Sequence, residues 1–195
     1  MSDENWQGRR DEVPRAAHIE ALDGGRVPRL GEAVFIHESA VVIGAVTLAD
    51  EVSVWPNVTL RGDEGRIEIG RQTNIQDGTT IHMTGDLSHT IVGERVTVGH
   101  GCILHGCIVG DGALIGMGAI LLDNATIGEG AFIGAGALVT QNKVIPPRTM
   151  VFGNPAKVVR ELTPEEIDYT RYAWRHYVEQ AALYQSLRAA SPRRG

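Results

Sequence analysis

Aromatic side chains are scarce, 5% of 195 residues, too few for an ordinary interior of interlocking rings. Cysteine is scarcer still. Cys102 and Cys107 are the only two, which excludes a disulfide framework and fits a reducing compartment. No stretch approaches the ~20 consecutive apolar residues that span a bilayer, and the N-terminus "MSDENWQGRRDEV" lacks the apolar centre of a secretory signal. The expectation is a cytoplasmic protein with no membrane partner. Positive charge is also in deficit: the net charge of -6 leaves no basic face for nucleic acid. The tail "SPRRG" (191–195) is locally positive, and such a terminus is expected to be disordered. A small solute is the more natural partner.

Glycine, in contrast, is plentiful at 24 residues, and it recurs in step with aliphatic residues. Val92, Val98, Leu104, Val109, Ile115, Leu121, Ile127, Ile133 and Val139 follow one another at intervals of six, with one interval of five between Leu104 and Val109. Two places before each stands a small or β-branched residue, alanine from Ala113 to Ala137. An α-helix has no period of six, and a strand has a period of two. Hexads instead describe a parallel β-helix, an all-β, single-stranded coil in which each hexad forms one side of a triangular prism and three hexads close a turn. The aliphatic residue points inward, and the small one makes room for the corner. Leu48, Val54, Leu60, Ile69, Ile75 and Ile81 extend the pattern upstream, with polar interruptions at 61–68 and 83–89 that read as loops.

The chain thus divides into an N-terminal segment (1–34), a prism of six to seven coils (35–152), and a Gly/Pro turn followed by a long C-terminal helix (153–190). Thr163 and Glu166 stand at capping-box spacing with Pro164 at the first helical position. Ile167, Trp174, Tyr177, Ala181, Tyr184 and Leu187 form one apolar stripe, which would lie on the prism or on a neighbouring subunit.

The prism gives the polar residues addresses. With the sides named A, B and C in order, Leu60, Ile81 and Leu104 fall on side A in successive coils. Arg61, His82 and His105 each follow one of them and form an outward ladder. Stacked strands are ~4.8 Å apart, a spacing that lets two imidazoles share a metal with ~2.0–2.1 Å bonds to zinc. His100 lies on side C, one coil from Asp77, and so on a different face. Packing side A of one subunit against side C of another would unite the three histidines, most simply in a cyclic homotrimer.

"RGDEGRIEIGRQTNIQDGTTIH", "VGHGCILHGC" and "FGNPAKVVREL" strongly resemble the gamma-class carbonic anhydrases, and the likeness runs from about residue 33 to 190. The resemblance implies a left-handed β-helix trimer with a metal at each interface, zinc or in its place iron or cobalt. His82 and His105 of one chain and His100 of the next would be the ligands. It implies that Gln76 orients a metal-bound hydroxide, that Asn74 helps position carbon dioxide, and that Arg61, Asp63 and Asp77 form a charged network. A tyrosine of the C-terminal helix would line the site, Tyr172 or Tyr177, with the apolar stripe favouring Tyr177. Three neutral imidazoles leave a zinc ion its charge and an open position, so its water ionises near pH ~7 and attacks carbon dioxide to give bicarbonate. The most active relatives have an acidic loop between the first two ligands. Here "MTGDLSHT" is short and carries only Asp86, so Glu64 or His89 would relay the proton, and the departure implies a lower turnover.

Plainer readings exist for several of these residues. Cys102 and Cys107 occupy the small-residue slot and read as buried packing. Asn74 could be a corner residue that tolerates a tight turn, Arg61 and Asp63 a simple salt bridge between subunits, and any one tyrosine a packing residue. Two rival functions also follow from a hexapeptide prism: an acyltransferase or thioesterase with one histidine base, and a trimeric scaffold whose metal only staples its subunits.

Overall fold

The computed structural model describes residues 16–190. The tail at 191–195 and the first fifteen residues of the N-terminal segment lie outside the described residues.

Every inward position of the hexad series is buried: Leu60, Ile81, Leu104, Leu121 and Val139 on side A are all at 0% exposure. Sides are held by parallel pairing at a fixed register, Leu60 opposite Ile81, Ile81 opposite Leu104, and Leu104 opposite Leu121. Ile69 faces Val92 on side B, and Ile75 faces Val98 on side C. The register cannot slip, because a shift by one residue would turn each buried aliphatic to the outside. Each fully buried Leu or Ile contributes about 1.5–3 kcal/mol, so the prism is held by a column of many similar contributions.

The corners use left-handed backbone. Gly78, Gly101 and Gly118 turn the chain from side C to side A at φ near +65° to +70°, and Gln72 (φ 59°) turns it from B to C. Asn74 lies in the strand Asn74–Ile75, past that corner. The corner reading of Asn74 is therefore wrong, and Gln72 holds the turn.

Parallel pairing reaches back before residue 35. His18–Glu20 and Arg29–Leu30 both pair with Val41–Leu48, giving an additional first coil above the one that contains Val42. Residues 61–68 also differ from the loop expected. They belong to one continuous strand, Thr59–Ile69, which runs from side A round to side B. Gly44 faces Gly62 and Val46 faces Ile67, so 63–66 bulge opposite the single residue Ala45. Pairing with Val41–Leu48 holds the segment on both sides of the bulge, and Ile67 is its one buried apolar side chain. The second interruption, 83–89, is a loop.

After the prism, Lys157–Glu161 folds back antiparallel on Thr149–Phe152, a strand where only a turn was expected. The helix Pro164–Ala190 follows, called α1 here. Its capping box is formed: Thr163 N–H donates to Glu166 Oε2 (2.8 Å) and Glu166 N–H to Thr163 Oγ1 (3.3 Å). The helix lies on side C, and the few aromatics gather at that contact. Trp55 is 5.1 Å from Phe35, 5.4 Å from Tyr177 and 5.3 Å from Tyr184, centroid to centroid. Arg188 donates to the Ile36 carbonyl (3.1 Å) at the far end. The stripe is buried deepest at Ala181, whereas Leu187 is 57% exposed.

Candidate metal centre

His82 and His105 are direct cross-strand partners on side A. His82 Nδ1 lies 3.4 Å from His105 Nε2, with the rings 5.3 Å apart and tilted by 62°. The opposite nitrogen of each ring meets a carboxylate. His82 Nε2 is 2.9 Å from Asp63 Oδ1, and His105 Nδ1 is 3.3 Å from Asp123 Oδ2. Arg61 donates to the other oxygen of Asp63, and Arg26 donates to its backbone carbonyl (2.6 Å), tying the bulge to the N-terminal segment. Burial works to raise the Asp63 carboxyl, but hydrogen bonds from His82 and Arg61 outweigh it and hold the group below its usual range. Asp123 behaves alike: burial is outweighed by hydrogen bonds from Ser88 and Thr84.

His100 stands apart, at the corner after the strand Thr97–Val98. Its Nδ1 is 3.0 Å from Asp77 Oδ2, the neighbour one coil away that the register predicts. The His100 side chain is 46% exposed, and its Nε2 makes no hydrogen bond among the described residues. Within one chain, and among the described residues, no three His, Cys, Asp or Glu side chains converge into a metal-binding group. Two imidazoles meet and the third faces outward elsewhere.

The donor set fits a metal. Two nitrogens on one tetrahedral zinc with ~2.0–2.1 Å bonds stand roughly 3.4 Å apart, and His82 Nδ1 and His105 Nε2 have that separation. Each of the three histidines also offers one nitrogen to a carboxylate, the usual outer partner of a metal-bound imidazole.

Side C carries the remaining residues. Gln76 Nε2 donates to Asn74 Oδ1 (3.1 Å), and Asn74 Nδ2 donates to Thr97 Oγ1 (3.1 Å) and the Val96 carbonyl (3.3 Å). Asn74, 1% exposed, is thus engaged entirely within the chain. Gln76, His100, Met117, Phe132 and Tyr177 line a cleft of about 330 Å³ between side C and α1. Burial, and after it the nearby Asp77, pushes the Tyr177 hydroxyl above its ordinary pKa. Tyr172 is 60% exposed and stacks on His176, outside this cleft. Tyr169 is a further lining residue.

Among the proton-relay candidates, Glu64 Oε2 accepts from Gly85 N–H (3.1 Å) and His89 Nδ1 from Arg66 N–H (3.3 Å), so the bulge and the 83–89 loop are joined. Asp86 sits in that loop's turn at φ 56°. Cys102 and Cys107 are fully buried, and burial pushes their thiols up to about 11 and about 12. Both stand in the buried core beside the inward aliphatics, in the slot that alanine fills in later hexads, so packing is their role. Asp123, Thr84 and Ser88 escape a reading of the sequence alone, although Asp123 stands one coil below Gly106, beside the ladder.

Fold and site together define a hexapeptide-repeat β-helix protein with a histidine pair on one side. A model of the bacterial transferase hexapeptide (six repeats) matches residues 106–141. A carbonic anhydrase of Geobacillus kaustophilus is 46% identical over 163 residues, 84% of this chain and 89% of that protein. The mitochondrial gamma carbonic anhydrase 2 of Arabidopsis thaliana is 41% identical over 164 residues, 82% of this chain and 59% of that longer protein. A crystal structure from Bacillus cereus, described as a putative acetyltransferase, superposes with a TM-score of 0.85 at 44% identity, covering 88% of this chain and 98% of that one. The chain belongs to the gamma-class carbonic anhydrase family of hexapeptide-repeat proteins. Among the described residues, no helix is long and apolar enough to cross a membrane.

Proposed function

We propose that the protein is a metal-dependent carbonic anhydrase that converts carbon dioxide reversibly to bicarbonate, as a cytoplasmic homotrimer with a metal at each subunit interface. The observation that carries this reading is the 3.4 Å approach of His82 Nδ1 to His105 Nε2 on adjacent coils. His82 and His105 would hold the metal together with His100 of the partner subunit, whose Nε2 faces outward while Nδ1 is engaged by Asp77. Zinc is the reading for the metal, with iron(II) or cobalt(II) able to take its place. Such a cation, bound by three neutral imidazoles with a position left open, supplies water that ionises near pH ~7.

The chain's own residues prepare the surroundings. Asp63 and Arg61 form a charge pair beside His82, and Asp77 stands beside His100. Gln76 spends one amide hydrogen on Asn74 and turns the rest of its carboxamide to the cleft, where it can orient a polar reactant. Asn74 acts by holding Gln76. Tyr177 closes the cleft from α1 with its hydroxyl neutral at physiological pH. Stopped-flow hydration of carbon dioxide by the zinc-, iron- or cobalt-loaded protein tests the reading: wild type turns over, and His105→Ala falls to the uncatalysed rate. Equal rates in the two would eliminate it.

Acyl transfer is the second reading, favoured by the description of the Bacillus cereus structure and by the partly apolar cleft. Calorimetry with acetyl-CoA separates the two. Saturable binding supports acyl transfer, and its absence supports the anhydrase.

A further inference from the structure

The hexad series has a single five-residue step, from Leu104 to Val109, and it falls at the corner that holds Gly106. A β-carbon on Gly106 would lie 2.0 Å from Ser88 Oγ and 2.2 Å from Asp123 Oδ1. The missing side chain leaves a gap through which a carboxylate of the next coil meets a hydroxyl of the 83–89 loop. Ser88 Oγ donates to Asp123 Oδ1 (2.5 Å), Thr84 Oγ1 donates to Oδ2 (3.0 Å), and Thr84 N–H is shared between Ser88 Oγ (3.3 Å) and Oδ1 (3.4 Å). The loop thereby clamps the carboxylate in one orientation, with Oδ2 toward His105 Nδ1.

We infer that Asp123 is a positioning residue for the metal centre: it selects the tautomer of His105 that carries hydrogen on Nδ1, leaving the Nε2 lone pair aimed toward His82. The inference rests on the metal reading above and deepens it. An ionised carboxylate can only accept hydrogen bonds, so the nitrogen facing it must be the N–H. Asp63 imposes the complementary choice on His82, whose Nε2 faces that carboxylate and whose Nδ1 is left bare. Two bare lone pairs 3.4 Å apart repel each other, and a cation between them relieves that repulsion. The two carboxylates reach the pair from opposite directions, Asp63 from the coil before and Asp123 from the coil after. Their supports differ, since a guanidinium holds one and two hydroxyls of a loop hold the other.

The Asp123→Asn variant tests this. Ser88 Oγ accepts from Thr84 N–H (3.3 Å) and turns its own hydrogen to Oδ1, which keeps the amide oxygen on the Ser88 side and turns the NH2 group toward His105. That reverses the tautomer. Long-range ¹⁵N–¹H correlation spectra of the metal-free, full-length protein, taken where both imidazoles are neutral, read it directly. Hydrogen on Nδ1 of His105 is expected in wild type and on Nε2 in Asp123→Asn, with zinc affinity by chelator competition weakened about 10–100-fold. A purely structural role would lower the melting temperature and move neither readout. Should Asp123→Asn fail to fold, Ser88→Ala loosens the clamp while keeping the carboxylate, and a several-fold loss of affinity is expected. Hydrogen on Nε2 of His105 in wild type, or an unchanged tautomer and affinity in the variants, overturns the inference. Because the spectra are taken without metal, failure of wild type to bind zinc would refute the metal reading and leave the tautomer result standing.

Discussion

His82 and His105 meet across adjacent coils with 3.4 Å between Nδ1 of one and Nε2 of the other, and each turns its second nitrogen to a carboxylate. This relationship needs only two hexads in register and one residue of offset from the buried leucine or isoleucine.

Removing the outer partners should weaken the centre without unfolding the prism, because the side is held by inward aliphatics. Asp63→Asn is expected to lower zinc affinity about 10–100-fold, and Arg61→Ala only several-fold, since Arg61 acts through Asp63. Chelator competition measures both. Equal effects of the two would contradict this order.

The prism itself depends on its column. Leu104→Ala, at a position with 0% exposure, should cost about 2–5 kcal/mol. Denaturant unfolding checks this, and a loss below about 0.5 kcal/mol would mean that the inward position is not close-packed.

The thiols should be inert in the folded protein. With burial holding them at about 11 and about 12, Cys102 and Cys107 carry almost no thiolate near pH 8. A thiol-exchange reagent should label neither in the native state and both in denaturant. Rapid native labelling would refute their burial.

The start of α1 should respond to acid. The Arg160 hydrogen bond, followed by the Thr163 N–H, lowers Glu166 from 4.5 to about 2. A depressed carboxyl contributes stability that is fully present above about pH 4.5 and is lost as pH falls toward about 2. Melting temperatures of wild type and Glu166→Gln should therefore differ above pH 4.5 and converge toward pH 2. A constant difference across this range would contradict the assignment.

The inward positions, the His82–His105 ladder and the His100–Asp77 pair could all be read from the sequence, because a buried aliphatic every six residues fixes which neighbours touch. What escaped was set by segments outside the repeat. The strand through 61–68 takes its pairing from Val41–Leu48 and needs no hexad of its own. The return strand Lys157–Glu161 is exposed throughout and carries no alternating burial that would mark it. Asp123 is bound by Thr84 and Ser88 of a non-repeating loop, whose path no periodicity dictates. The short step at Gly106 was visible, but its meaning required the loop that fills the space.

If each metal is shared between subunits as proposed, two defective chains should complement each other in a mixed oligomer. His100→Ala and His105→Ala homo-oligomers should each bind no cobalt(II) with the tetrahedral visible spectrum. Co-expressed, they should regain part of it, because a chain with intact His82 and His105 can meet an intact His100 on its neighbour. Recovery of the cobalt signal in the mixture is the predicted result. Cobalt binding by His100→Ala alone, or no recovery in a mixture shown to be hetero-oligomeric, would mean that the metal is not shared between His82 and His105 of one chain and His100 of the next.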